Sequence, residues 1–69
     1  MNKIKLILKE QGRSQTWLAD KIGLSTVTIA NYCNNKNQPK METLYEIADL
    51  LDVDVKDLIV SSKKVRAKW

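Results

Sequence analysis

Two residues, Gly23 and Leu24, are all that separates Ile22 from Ser25, and both flanks carry apolar residues at helical intervals. Upstream, Leu18, Ala19 and Ile22 share one face. Downstream, Ile29, Tyr32 and Cys33 do the same. A two-residue joint is too short for an antiparallel hairpin of long helices, but it suffices for a sharp turn between short ones. Glycine at 23 accepts a left-handed backbone without steric cost, and a small Ala19 lets the two helices approach where they cross. This joint limits the chain to folds in which the second of the two helices is set at a large angle to the first.

The rest of the sequence supplies helices to pack around that corner. Ile4, Ile7 and Leu8 mark a first helix that Gly12 can end. Ser14 can cap the second helix and Ser25 starts the third. The third stops in NNKNQP, where Asn35 is the residue best able to take a positive φ after glycine. After Pro39, METLYEIADLLD repeats Leu44, Ile47, Ala48 and Leu51 at helical spacing, and DVKDLIV predicts a short fifth helix capped by Asp54. No segment alternates with a period of two, so the expected class is all-α. We expect one domain over residues 1–60 and a flexible basic tail at 61–69. At 69 residues the chain buries only about 60% of the surface it exposes when unfolded, which requires a compact and locally connected core.

Charge is divided along the chain. Residues 1–41 carry seven cations against two anions, whereas residues 42–60 carry Lys56 against six acids. Four more cations lie in the tail. Such a chain can turn a basic side toward a polyanion and an acidic side away from it. Other functions have little material. The chain has no His and one Cys, so neither a metal cluster nor a Cys/His nucleophile pair is expected, and no glycine-rich phosphate loop is present. No cofactor, metal or small-molecule ligand is expected. No stretch approaches the roughly 18 apolar residues of a membrane span, and a cytoplasmic setting suits the lone thiol.

A short turn that holds the third helix away from the body is the geometry that lets a helix enter a DNA major groove. At this point the sequence resembles the Cro and lambda-repressor type of helix-turn-helix regulators. Gln15, Ala19, Gly23, Leu24, Ile29 and Tyr32 fall on that family's spacing, followed by Pro39 and LYEIADLLDVDVKDLI. The resemblance implies a compact five-helix DNA-binding domain with the motif at helices 2 and 3. It also implies a homodimeric transcriptional regulator on a short inverted-repeat operator in double-stranded DNA. Thr26, Val27, Thr28 and Asn31 would then face base edges, and Gln15, Ser25, Asn34 and Lys36 would hold the phosphate backbone. Asn31 can pair bidentately with adenine, and the methyls of Val27 and the threonines can pack on thymine. With no Arg on this face, an A·T-leaning half-site is expected.

Some positions depart from the family pattern. Leu8 and Cys33 stand where relatives often keep an Arg–Glu pair, which suggests that an apolar contact replaces an ion pair. Trp17 removes the reciprocal half of the Ser14 cap; it can stack along Lys21 one turn later, cover part of the core or donate its indole N–H to a phosphate, and packing is the expected role. Asn35 replaces a usual glycine, and Lys40 is a poor cap for the fourth helix. Val53, Val55, Ile59 and Val60 are more apolar positions than a small core needs and are candidates for a two-fold interface. Cys33 reads as a small buried hydrophobe. The rival reading is a helical interaction module, such as an antitoxin-like adaptor whose main task is to bind a protein.

Overall fold

The apolar spacing produces helices where it predicts them. A computed structural model describes residues 2–59 and contains α1 (Ile4–Glu10), α2 (Gln15–Ile22), α3 (Thr26–Cys33) and α4 (Met41–Leu51). Val60 and the tail at 61–69, with Trp69, lie outside the described residues. The expected fifth helix is instead a single 3-10 turn, Val55–Leu58. Asp54 does cap it, accepting from the Lys56 amide at 3.2 Å. The chain then leaves the turn because Ile59 takes an extended backbone and bridges Asn2, while the Lys3 amide donates to the Leu58 carbonyl at 2.8 Å. Pairing with the N-terminal segment competes with helix propagation here, and β-branched Ile59 favours the extended form.

All four helices end the same way. Gly12, Gly23, Asn35 and Asp52 each have φ between 56° and 81°. The amide of the following residue then reaches back to a carbonyl in the last turn: Arg13 to Leu8, Leu24 to Ala19, Lys36 to Asn31 and Val53 to Ala48, at 2.9 to 3.1 Å. Each reversal satisfies carbonyls that a helix end would leave orphaned. The sequence marks the first three of these positions. Asp52 carries no comparable signal, since aspartate visits this region only in certain contexts.

Helix starts follow polar side chains. Ser14 Oγ accepts from the Trp17 amide at 2.9 Å, and Ser25 Oγ accepts from the Thr28 amide at 3.1 Å. The α4 start at Lys40 has no side-chain cap, as the residue type suggests. Around these ends the core draws on every element: Ile4 and Leu8 from α1, Leu18 and Ala19 from α2, Ile29 and Cys33 from α3, four residues of α4, and Leu58. Leu8 and Cys33 both lie in this cluster, 2% and 4% exposed. Gln11 stitches two helix ends together by donating from Nε2 to the Leu51 carbonyl at 2.7 Å.

A Cβ built on Gly23 meets no atom within 4 Å, so the only obstacle to a larger residue is its φ of 81°. Gly23→Ala should therefore lower unfolding free energy by about 1–2 kcal/mol, the left-handed penalty alone. Gly23→Asn should lose less, and urea titration followed by helical circular dichroism would rank the two. Ile29→Ala opens a cavity at a fully buried site and should remove about 2–5 kcal/mol, enough to unfold most of so small a domain.

Candidate nucleic-acid interface

The surface of α3 follows from what its other side buries. Ile29 and Cys33, one turn apart, point into the core. The 100° step between residues then turns Val27 and Asn31 to the opposite side, with Thr28 and Asn34 beside them. Thr26, Val27 and Asn34 are exposed, and Thr28 and Asn31 are half-buried. No residue of α3 is charged. Val27 is 67% exposed, the highest figure among the exposed large apolar side chains Leu6, Leu24, Val27, Met41 and Tyr45.

The remaining candidates, Gln15, Ser25, Asn34 and Lys36, lie before and after α3 in the chain. Gln15 opens α2 and is half-buried, Ser25 precedes α3, Asn34 ends it, and exposed Lys36 sits in the loop beyond. That loop is held close to α3, because the Lys36 and Asn37 amides both donate to the Asn31 carbonyl, at 2.9 and 3.3 Å. Two candidates have tasks within the protein as well. Ser25 Oγ and Thr28 Oγ1 share a hydrogen bond of 2.9 Å while Ser25 Oγ also caps the helix. One of the two hydroxyl hydrogens remains free to donate outward, since the shared bond uses only the other.

The exposed lysines lie outside α3. Lys3, Lys5 and Lys9 on and before α1, Lys21 on α2, and Lys36 and Lys40 beyond α3 are all exposed. Of the exposed acids, Glu10 and Asp20 lie on α1 and α2, and Glu42, Glu46, Asp49, Asp52, Asp54 and Asp57 belong to α4 and the segment after it. Trp17 packs against the core, as expected, but its cation is Arg13 and not Lys21: the guanidinium carbon lies 4.1 Å from the ring centroid. The fixed loop after α1 brings Arg13 over the ring, where it also donates from Nε to Gln11 Oε1 at 3.1 Å. Val53, Val55 and Ile59 are half-buried and packed against the core, so each divides its area between core and surface. Val60 is outside the described residues.

Sequence reasoning overlooked Asn2. This residue is 8% exposed, and its amide group contacts the loop after α3 more than 30 residues away. An Asn just before an apolar-periodic run is a helix-start signal, and Oδ1 does accept from the Ile4 amide at 3.1 Å. The long-range contacts leave no local trace.

Two short helices, α2 and α3, packed against each other and joined at a left-handed Gly23, define a helix-turn-helix unit. The chain belongs to the helix-turn-helix family, whose model matches residues 4–58. It is 33% identical over 54 residues to antitoxin HipB of Escherichia coli K12, covering 78% of this chain and 61% of that protein. It is 35% identical over 50 residues to the transcriptional repressor RstR of a cryptic CTXphi phage in Vibrio cholerae, covering 72% of this chain and 45% of the repressor. The chain thus spans about half to three-fifths of these relatives' length. A solved protein from Bacteroides fragilis, provisionally described as DNA-binding, superposes with a TM-score of 0.83 at 43% identity, over 84% of this chain and 94% of the other.

Among the described residues no group of three or more potential metal ligands comes together, and no helix is long and apolar enough to cross a membrane. Cys33 is 4% exposed. Burial pushes its thiol above the usual cysteine range, and the charge of Lys5 pulls it part of the way back. A raised thiol pKa favours the neutral folded form, so the stabilisation is complete below the unfolded pKa near 9.0 and is lost as pH rises through the folded one. Native protein should accordingly react with a disulfide reagent at pH 8 at least about tenfold more slowly than urea-unfolded protein. Equal rates would place the thiol at the surface.

Proposed function

We propose that the protein is a DNA-binding transcriptional regulator that inserts α3 into the major groove of a short inverted-repeat site as a homodimer. One observation carries the reading: an uncharged outward face on α3, with Val27 two-thirds exposed, in a chain whose exposed cations are concentrated in α1, α2 and the loop after α3. This division matches how DNA is read. Phosphates reward charge at the border, whereas bases reward small donors, acceptors and methyl groups at the centre. The repressor relative and the family membership support the same reading.

In this reading Thr26, Val27, Thr28 and Asn31 meet base edges. Gln15, Ser25, Asn34 and Lys36 hold phosphates, with the free hydroxyl hydrogen of the Ser25–Thr28 pair turned outward. Apolar area on Val53, Val55 and Ile59 forms the two-fold contact and spaces two α3 helices about one DNA turn, roughly 34 Å, apart. Regulation would act through concentration or a second protein. A second reading has support from the antitoxin relatives: a domain whose chief task is to hold a protein partner.

Selection from random duplexes at two salt concentrations separates the two. An enriched palindrome with A·T-leaning half-sites and a steep salt dependence is expected. Absence of binding at low salt would leave only the partner-binding reading. On the selected site, Asn31→Ala should relax preference at one base position by about 1–3 kcal/mol. Lys36→Ala should instead weaken all sequences alike and reduce the slope of log K against log salt by about 0.9. Identical behaviour of the two variants would contradict these roles.

A further inference from the structure

Asn35 ends α3 with φ of 59°, a conformation that glycine adopts more readily. An asparagine there brings something a glycine lacks. Its Oδ1 accepts from the Asn2 amide at 2.8 Å and from Gln38 Nε2 at 3.1 Å. Asn2 completes the circuit by donating from Nδ2 to the Tyr32 carbonyl at 2.8 Å and to Gln38 Oε1 at 3.0 Å. Three side chains therefore lock the loop after α3 onto the N-terminal segment. That segment is itself paired with the chain's last described residues through Asn2–Ile59 and the Lys3 to Leu58 bond.

We propose that the Asn2–Asn35–Gln38 clasp is a positioning device that presets the loop carrying Asn34 and Lys36 for phosphate contact, so that DNA meets an already ordered edge of the reading surface. The inference rests on the DNA-binding reading above. The helix end alone does not require it: the reversal at 35 is secured by the Lys36 to Asn31 and Asn35 to Tyr32 backbone bonds, which a glycine would keep. Nor does the start of α1, which uses only Asn2 Oδ1. What the remaining bonds restrain is the path of residues 34–38. A long, rotamer-rich lysine gains most from a fixed backbone, because ordering on binding then involves the side chain alone.

The test separates the clasp from folding. Asn35→Gly keeps the left-handed backbone and deletes the shared acceptor, and Gln38→Ala leaves residue 35 untouched while removing an exposed partner. Both variants should stay folded. On the selected duplex, Asn35→Gly should bind about five- to tenfold more weakly, with Gln38→Ala between it and wild type. The salt slope should fall by about 0.9, the signature of one lost phosphate contact. Lys36→Ala should cost several-fold in the wild-type background and less than twofold in Asn35→Gly. A clasp that serves stability alone would lower the melting temperature yet leave the slope and the Lys36 effect unchanged, and that result overturns the proposal. Without DNA, hydrogen exchange at the Asn2 and Lys36 amides should quicken in Asn35→Gly. Unchanged exchange would refute the preset loop, whereas failure of the wild type to bind any duplex would refute the DNA-binding reading and leave the exchange result standing.

Discussion

The left-handed turn at Gly23 is the constraint on which the remaining geometry hangs. It reverses the chain at the end of α2, satisfies the Ala19 carbonyl through both the Gly23 and Leu24 amides, and starts α3 two residues later at Ser25, whose Oγ caps the helix. With so short a joint, α3 can bury Ile29 and Cys33 only by crossing α2 near Ala19. The same crossing leaves Val27 and Asn31 facing outward. A longer joint would free α3 to lie along α2, hide its uncharged face and lose the separation between a buried side and a presented one. Backbone conformation at one position thus decides which α3 side chains meet solvent.

A second level of organisation surrounds this corner. The helix ends are closed by backbone reversals at four left-handed residues, so little depends on the polar side chains of the core itself. Polar side chains act where segments distant in sequence must be joined: Gln11 to the end of α4, and Asn2 to the loop after α3. These contacts substitute for bulk in a domain too small to fix its loops by burial. They also bring the N-terminal segment, the closing 3-10 turn and the loop after α3 into one connected region, placed beside the cations of α1.

Much of the fold was legible because it is local. Helices α1 to α4, the caps at Ser14, Ser25 and Asp54, and the reversals at Gly12, Gly23 and Asn35 each rest on interactions within five residues. The fifth helix was misread for the opposite reason. DVKDLIV has a cap and an apolar pattern, yet Leu58 and Ile59 pair with residues 2 and 3, more than 50 positions away, and that pairing extends the chain. Trp17 was correctly expected to pack, but its cation came from the loop after α1 because Gly12 turns Arg13 across the ring. The candidate reading residues came from the family resemblance, carried over by position, while the hydroxyl sharing of Thr28 with Ser25 appears only in three dimensions.

By itself the sequence determined the helical class, the sharp joint, the uncharged outward face of α3 and the division of charge along the chain. Those properties follow from residue type and from periodicity, which act over one or two turns of helix. The tertiary structure decided that Asn35 is a junction and not merely a substitute for glycine, that Asn2 matters at all, and that the chain closes through a bridge instead of a helix. Each of these depends on hydrogen bonds between groups 30 or more residues apart. Such bonds form only after the core has brought their partners together, and no local propensity encodes them.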